Sequence, residues 1–190
     1  MLASKYAKFS KAAELPTRVE RLRVEGFKSV KMPQKSLTNA VKGGIIDTER
    51  SVAMYRKRRE NKIEPMPKKQ LQKIEKAFKK RGGIIERSKD IDSYLDSKNA
   101  EAITYNQQII LLKSNPGRAS VFEELIHATQ YKKGQNDGSY ESRLRCEIEA
   151  QQKLIKHSKA YKLTKAEIEQ TKASLETYKK EYEKYKKGGS

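Results

Sequence analysis

The sequence predicts an α+β fold, in which a small sheet packs on the helix at about 118–131. A largely helical basic N-terminal region precedes this unit, and a long C-terminal helix packs behind it. The run Gln107–Leu112 is short, apolar and followed by the turn Asn115-Pro116-Gly117, which is typical of a buried strand. Apolar residues recur at helical spacing on both sides of that run. Hydrophobic and charged residues each make up 35 % of the chain, which is polar but sufficient for a core.

The composition excludes several kinds of site. The chain has 190 residues, enough for one ordinary domain and a small extension. Its single cysteine, Cys146, excludes an intramolecular disulfide framework and a Cys-rich zinc site. With two histidines, the chain alone has no three-His metal site. No stretch approaches the roughly 20 apolar residues of a membrane span, and the start shows no secretory signal peptide.

The charge is unevenly distributed. The net charge is +19 overall, with +15 in residues 1–81, −2 in residues 82–150 and +6 in residues 151–190. The basic ends predict binding to a polyanion, which could be nucleic acid, a membrane surface or an acidic partner. The alternative is that these lysines only keep the chain in solution. Because the acidic groups concentrate in the middle segment, we expect any chemistry there.

The sequence divides into three regions. Residues 1–65 read as a basic N-terminal extension or linker, residues 66–187 as the folded domain, and residues 188–190 as a flexible tail. In the domain, apolar residues at helical spacing from Lys68 predict a first helix that ends at Gly82. A short strand over 84–86 and a helical segment from Asp90 to Leu95 follow.

Three further helices follow the Gln107–Leu112 strand. They cover about 118–131, Tyr140 to His157, and 164–187. The last begins with a capping box formed by Thr164 and Glu167. Its helically spaced positions predict a packing seam. These positions are Ile168, Thr171, Leu175, Tyr178, Tyr182 and Tyr185.

The helix at 118–131 carries the most informative cluster. On a helical wheel, one arc is apolar and the opposite arc contains Glu123, Glu124, His127, Gln130 and Tyr131. Glu123 and His127 are one turn apart, so both side chains can hold one metal ion. Glu124 lies between them, where it can take a proton from a water molecule on that ion.

The next helix adds a third candidate ligand. Glu147 lies in the middle of its apolar arc, where a charged group must be paired or bound to metal. The turn-rich loop before this helix allows the two helices to pack antiparallel, which would bring Glu147 to Glu123 and His127.

These residues resemble those of a known enzyme family. The segment Glu123-Glu124-Leu125-Ile126-His127 resembles the His-Glu-x-x-His helix of zincin metallopeptidases, with Glu in place of the first His. The segment Glu147-Ile148-Glu149-Ala150 resembles the stretch that supplies the third ligand in gluzincin-like enzymes. The order of features from Gly82 to Ile155 is similar to that of zincin-like metallopeptidase toxin domains in bacterial polymorphic toxins.

The resemblance implies a fold and an activity. The fold is zincin-like, with zinc ligands at Glu123, His127 and Glu147 and a general base at Glu124. Two carboxylates and one imidazole also suit other divalent ions, so the metal stays open. The implied activity is peptide hydrolysis by the toxic effector of an interbacterial or phage-related system, with a protein or peptide substrate and an immunity protein as partner. Such a protein would reside in the bacterial cytoplasm of its producer, or be delivered into a target cell as part of a larger effector.

Plainer interpretations exist for the same residues. Ser120 and Glu123 fit a capping box, in which Glu123 would bind no metal. Glu147 could pair with Arg118 or Arg143 instead. The alternative function is a non-enzymatic protein that binds nucleic acid or a partner on a degenerate zincin scaffold.

Overall fold

The computed structural model describes residues 63–188, and within them it has an α+β architecture. Residues 1–62 of the predicted extension and residues 189–190 of the predicted tail lie outside this range. The strands are β1 (Ile84–Glu86), β2 (Ala102–Thr104) and β3 (Ile109–Leu112). The helices are α1 (Lys68–Lys80), α2 (Lys89–Ser97), α3 (Arg118–Lys132), α4 (Tyr140–Lys156), α5 (Ser158–Tyr161) and α6 (Lys165–Gly188).

The three strands form one sheet in the order β1-β3-β2. The central strand β3 is parallel to β1 and antiparallel to β2. Ile110 and Leu112 pack against α1 and α3, whereas Ile109 and Leu111 pack against α2. Because helices cover both faces of β3, all four of its residues are apolar and buried.

Two features of the sheet differ from the sequence-based expectation. The predicted strand at 107–112 begins only at Ile109. The reason is local: Asn106 Oδ1 accepts hydrogen bonds from the backbone N–H groups of Gln108 and Ile109 at 2.8 and 2.9 Å, which turns the chain there. The sequence does not predict strand β2, because its three residues are too few to show the apolar–polar alternation that is typical of a strand.

The end of α1 confirms the predicted role of Gly82. This glycine has a φ of +81°, and its N–H donates to the Lys79 carbonyl at 3.0 Å. The next glycine is required for a different reason. A Cβ at Gly83 would lie 2.3 Å from Cε1 of Phe78, so the chain passes directly against this ring. Together these positions bring the chain from α1 into β1.

A buried carboxylate joins α6 to α3. Glu167 has no exposed surface, and its Oε2 accepts hydrogen bonds from the backbone N–H and hydroxyl of Thr164, which confirms the predicted capping box. Its Oε1 accepts from the Ala119 N–H at 2.9 Å. Gly117 is the N-cap of α3 and supplies no side chain, so Glu167 satisfies a donor at that end. The alternative Ser120–Glu123 capping box is not formed.

The long helix α6 packs along α4, and every position of the predicted seam except Tyr185 is buried or half-buried. The most buried residues of the helix are Glu167, Thr171 and Ser174, and Tyr185 is 40 % exposed. Gly188, which was assigned to the tail, is the last residue of α6. None of the helices between residues 63 and 188 is sufficiently long and apolar to span a membrane.

Candidate metal centre

The site lies between α3 and α4. Glu123, near the start of α3, contacts Gln151 near the end of α4, and Gln130, near the end of α3, contacts Glu149. The residue numbers of the contacting partners decrease along α4 as they increase along α3, so the two helices pack antiparallel. The sequence predicted this arrangement, and it brings the charged residues of both helices to one place.

The three predicted ligands converge. One ligand atom each from Glu123, His127 and Glu147 lies within 4.8 Å of the other two. His127 Nε2 is 3.5 Å from Glu147 Oε2. Two ligands of a tetrahedral zinc ion are about 3.3–3.4 Å apart, as follows from bonds of about 2.0–2.1 Å. The donor types and their spacing thus fit a divalent ion, and this is the one such group among residues 63–188.

Glu124 lies beside this group and is only 8 % exposed. Its backbone carbonyl accepts a hydrogen bond from Thr104 Oγ1 at 2.8 Å, which links the middle of α3 to the edge strand β2. Burial raises the pKa of the Glu124 carboxyl to about 7, against the opposing effect of His127. A carboxyl with a pKa near neutrality is suited to accept and return a proton.

The electrostatics of the centre favour a cation. Burial lowers the pKa of the His127 imidazole, but the carboxylates of Glu147, Glu124 and Glu123 outweigh it and raise that pKa to about 10. Three carboxylates surround one imidazole, so negative charge exceeds positive charge in this group. A divalent cation would neutralise this excess.

The polar arc of α3 is enclosed, although the helical wheel predicts that this side is the less buried one. Glu123 and Glu124 are each 8 % exposed and Gln130 is 1 % exposed, whereas Thr129, which the wheel places on the apolar arc, is exposed. The reason is that α4 covers the side of α3 that faces away from the sheet. Because both sides are covered, the amphipathic pattern does not separate buried from exposed positions on this helix.

Two buried glutamines complete the centre, and the sequence analysis assigned neither a role. Gln151 Nε2 donates to Glu123 Oε1 at 2.6 Å, and His127 Nδ1 lies 2.8 Å from Gln130 Oε1. Both side chains are 1 % exposed. A signal was available: Gln151 lies one helical turn after Glu147, and Gln130 lies one turn after His127, so each shares a face with a ligand.

The remaining candidate residues take no part in the ligand group. His157 is exposed. Cys146 is a free, buried thiol, and burial raises its pKa to about 11, aided by the charges of Glu149 and Glu147. Glu149 pairs with Lys153 at 2.6 Å.

Comparisons of the chain with protein-family models, with curated proteins and with solved structures give no match. The resemblance to zincins therefore stays a prediction carried by residues 123–127 and 147–150.

Proposed function

We propose that this protein is a metal-dependent hydrolase of the peptidase type, with zinc as its metal. The observation that carries the proposal is the convergence of Glu123, His127 and Glu147 from two antiparallel helices. Glu124, buried beside them, supplies a carboxyl with a pKa near 7. This combination of three ligands and an adjacent base is what metal-assisted hydrolysis requires.

The residues of the chain have separate roles in this reaction. Glu123, His127 and Glu147 would hold a divalent ion, which would polarise a scissile carbonyl and make a water molecule more acidic. Glu124 accepts the proton of the attacking water and returns it to the leaving amine. Burial of Glu124 supports both steps, because it keeps the pKa of the carboxyl between those of a free carboxylic acid and of the amine.

The resemblance to zincin-like toxin domains adds a biological role, a substrate and a partner to the proposal. In it, the protein acts on a protein or peptide substrate as the toxic effector of an interbacterial or phage-related system, and an immunity protein restrains it. The basic ends of the chain then attach the enzyme to a polyanion. The zincin-like helix and the third-ligand segment, at Glu123–His127 and Glu147–Ala150, support this assignment.

One observation favours a second candidate. Glu123 occupies the position of the first zincin histidine, and a carboxylate there weakens the preference for zinc. In the second candidate the centre has lost its chemistry, and the protein binds a nucleic acid or a protein partner without cleaving it.

The substitution Glu124→Gln separates the two candidates. It preserves side-chain size and removes the base, so hydrolysis or growth inhibition should fall by about 10²–10⁴-fold. Metal content and melting temperature should stay those of the native protein. Glu169→Gln is the matched control, because Glu169 is exposed on α6 and pairs with Lys172.

The outcomes are distinct. Unchanged activity in Glu124→Gln contradicts the role of Glu124 as the base. A native protein that binds about one equivalent of metal but shows neither hydrolysis nor toxicity supports the second candidate. Elemental analysis that finds no metal in native protein prepared without chelator, and none after zinc is added, contradicts the metal centre itself.

A further inference from the structure

We infer that Gln130 is a positioning residue that determines which nitrogen of His127 faces the metal centre. The inference deepens the proposed function and depends on it for its catalytic meaning. It concerns hydrogen bonds within the chain, which are testable without any metal.

The orientation of the Gln130 amide is set by its neighbours. Its Nε2 lies 3.0 Å from the Cys146 carbonyl oxygen and 2.8 Å from Glu149 Oε2. A backbone carbonyl and a carboxylate only accept hydrogen bonds, so both amide hydrogens point at them. Rotating the amide by 180° would direct its oxygen at these two acceptors and lose both bonds.

The fixed amide dictates the protonation pattern of His127. The Gln130 oxygen, which only accepts, lies 2.8 Å from His127 Nδ1. The ring must therefore donate from Nδ1, so Nε2 is the nitrogen that would give up its proton to a metal ion. Nε2 is the nitrogen that faces Glu147, at 3.5 Å.

The surroundings of Gln130 prevent water from replacing it. The side chain is 1 % exposed, and its hydrogen-bonding contacts are with His127 of α3 and with Cys146 and Glu149 of α4. Glu149 is itself held by Lys153 at 2.6 Å, one turn further along α4. A continuous series of contacts therefore leads from Lys153 at the surface through Glu149 and Gln130 to His127.

Gln151 provides a matched comparison. It is as buried as Gln130 and donates from Nε2 to Glu123 Oε1 at 2.6 Å. It thus contacts a different ligand, and a carboxylate has no tautomers to select. Loss of Gln151 perturbs the centre to a similar extent but does not touch the ring of His127.

The experiment compares Gln130→Met with Gln151→Met. Methionine has nearly the length of glutamine but none of its strong donors or acceptors. With ring ¹⁵N-labelled histidine, native protein treated with chelator should show an Nδ1–H signal for His127 that exchanges slowly with water. Exposed His157 serves as the internal reference. We expect this slowly exchanging signal to disappear in Gln130→Met and to remain in Gln151→Met.

A second measurement concerns the metal. In zinc-loaded native protein, the ring ¹⁵N shifts should place the proton on Nδ1. The zinc affinity of Gln130→Met, measured by competition with a chelating dye, should be weaker by about 10–100-fold. If native protein does not bind zinc, the proposed function fails, while the exchange measurement on metal-free protein still decides the role of Gln130.

An Nδ1–H signal in Gln130→Met with native exchange overturns the inference, and so does its equal loss in Gln151→Met. If Gln130→Met does not fold, Glu149→Ala replaces it, because Glu149 is one-third exposed and its loss removes one of the two acceptors that orient the amide. Faster Nδ1–H exchange in that variant supports the inference, and native exchange contradicts it.

Discussion

Strand β3 and helix α3 are both covered by other elements, yet they bury different kinds of residue. The four residues of β3 are Ile109, Ile110, Leu111 and Leu112, and none exceeds 1 % exposure. Helix α3 packs apolar residues against the sheet, and toward α4 it packs Ile126 together with buried Glu123 and Gln130 and half-buried His127. Strand β3 is therefore enclosed and entirely apolar, whereas helix α3 is enclosed and carries polar and charged residues as well.

This difference indicates that the apolar residues stabilise the fold, whereas the polar residues of α3 serve the metal centre. An apolar side chain gains free energy simply by leaving water, whereas a buried charge or amide must recover its lost hydration through partners. The partners around α3 are present, as the contacts of Gln130 and Gln151 show. Replacing such a group by apolar residues is nevertheless often neutral or stabilising. We therefore attribute its presence to chemistry, and the stability of the domain to the apolar clusters, of which the largest lies at the sheet.

The largest expected effect tests the sheet side. Leu111→Ala removes a fully buried side chain between β3 and α2 and should lower the free energy of unfolding by about 2–5 kcal/mol. Urea denaturation followed by circular dichroism measures this loss. Lys184→Ala, at an exposed position of α6, is the control and should change stability by no more than about 0.5 kcal/mol. A loss below 1 kcal/mol in Leu111→Ala would count against a core centred on β3.

A smaller effect tests a buried polar group that does serve stability. Glu167→Ala leaves the Ala119 and Thr164 donors without their acceptor and should lower the free energy of unfolding by about 2–3 kcal/mol. Glu169→Ala, two residues along the same helix, removes only an exposed pair with Lys172 and should cost less than about 0.5 kcal/mol. Equal urea midpoints for the two variants would mean that Glu167 does not join α6 to α3.

The smallest expected loss concerns the ligand group itself. With chelator present, the combined substitution Glu123→Met, His127→Leu and Glu147→Met should leave stability unchanged or raise it by up to about 4 kcal/mol. His127→Ala alone should lower it, because three carboxylates then lose their positive partner. The midpoint of urea denaturation measures both. A large loss of unfolding free energy in the combined variant would show that the ligand group stabilises the fold. That result would contradict the assignment of this group to chemistry.

Local patterns in the sequence predicted much of this structure. Glycine after α1, the capping box of α6 and the apolar run of β3 each depend on interactions within a few residues, and the structure confirms all three. The convergence of Glu123, His127 and Glu147 was also predicted, because one helical turn relates the first two and a charged residue in an apolar arc indicates the third.

The tertiary structure decided what depends on neighbours distant in sequence. Strand β2 forms because its backbone pairs with β3, and its three residues show no hydrophobic periodicity of their own. The ligand group has Glu123 buried and His127 and Glu147 half-buried, and this enclosure follows from the coverage of α3 by α4. A helical wheel of α3 alone does not show that coverage. Glu167 shows both kinds of interaction. The sequence determined that it caps its own helix, but its contact with Ala119, 48 residues away, exists only because α6 passes the start of α3. Periodicity and capping are short-range properties that the sequence expresses directly, whereas burial is a property of how the elements pack.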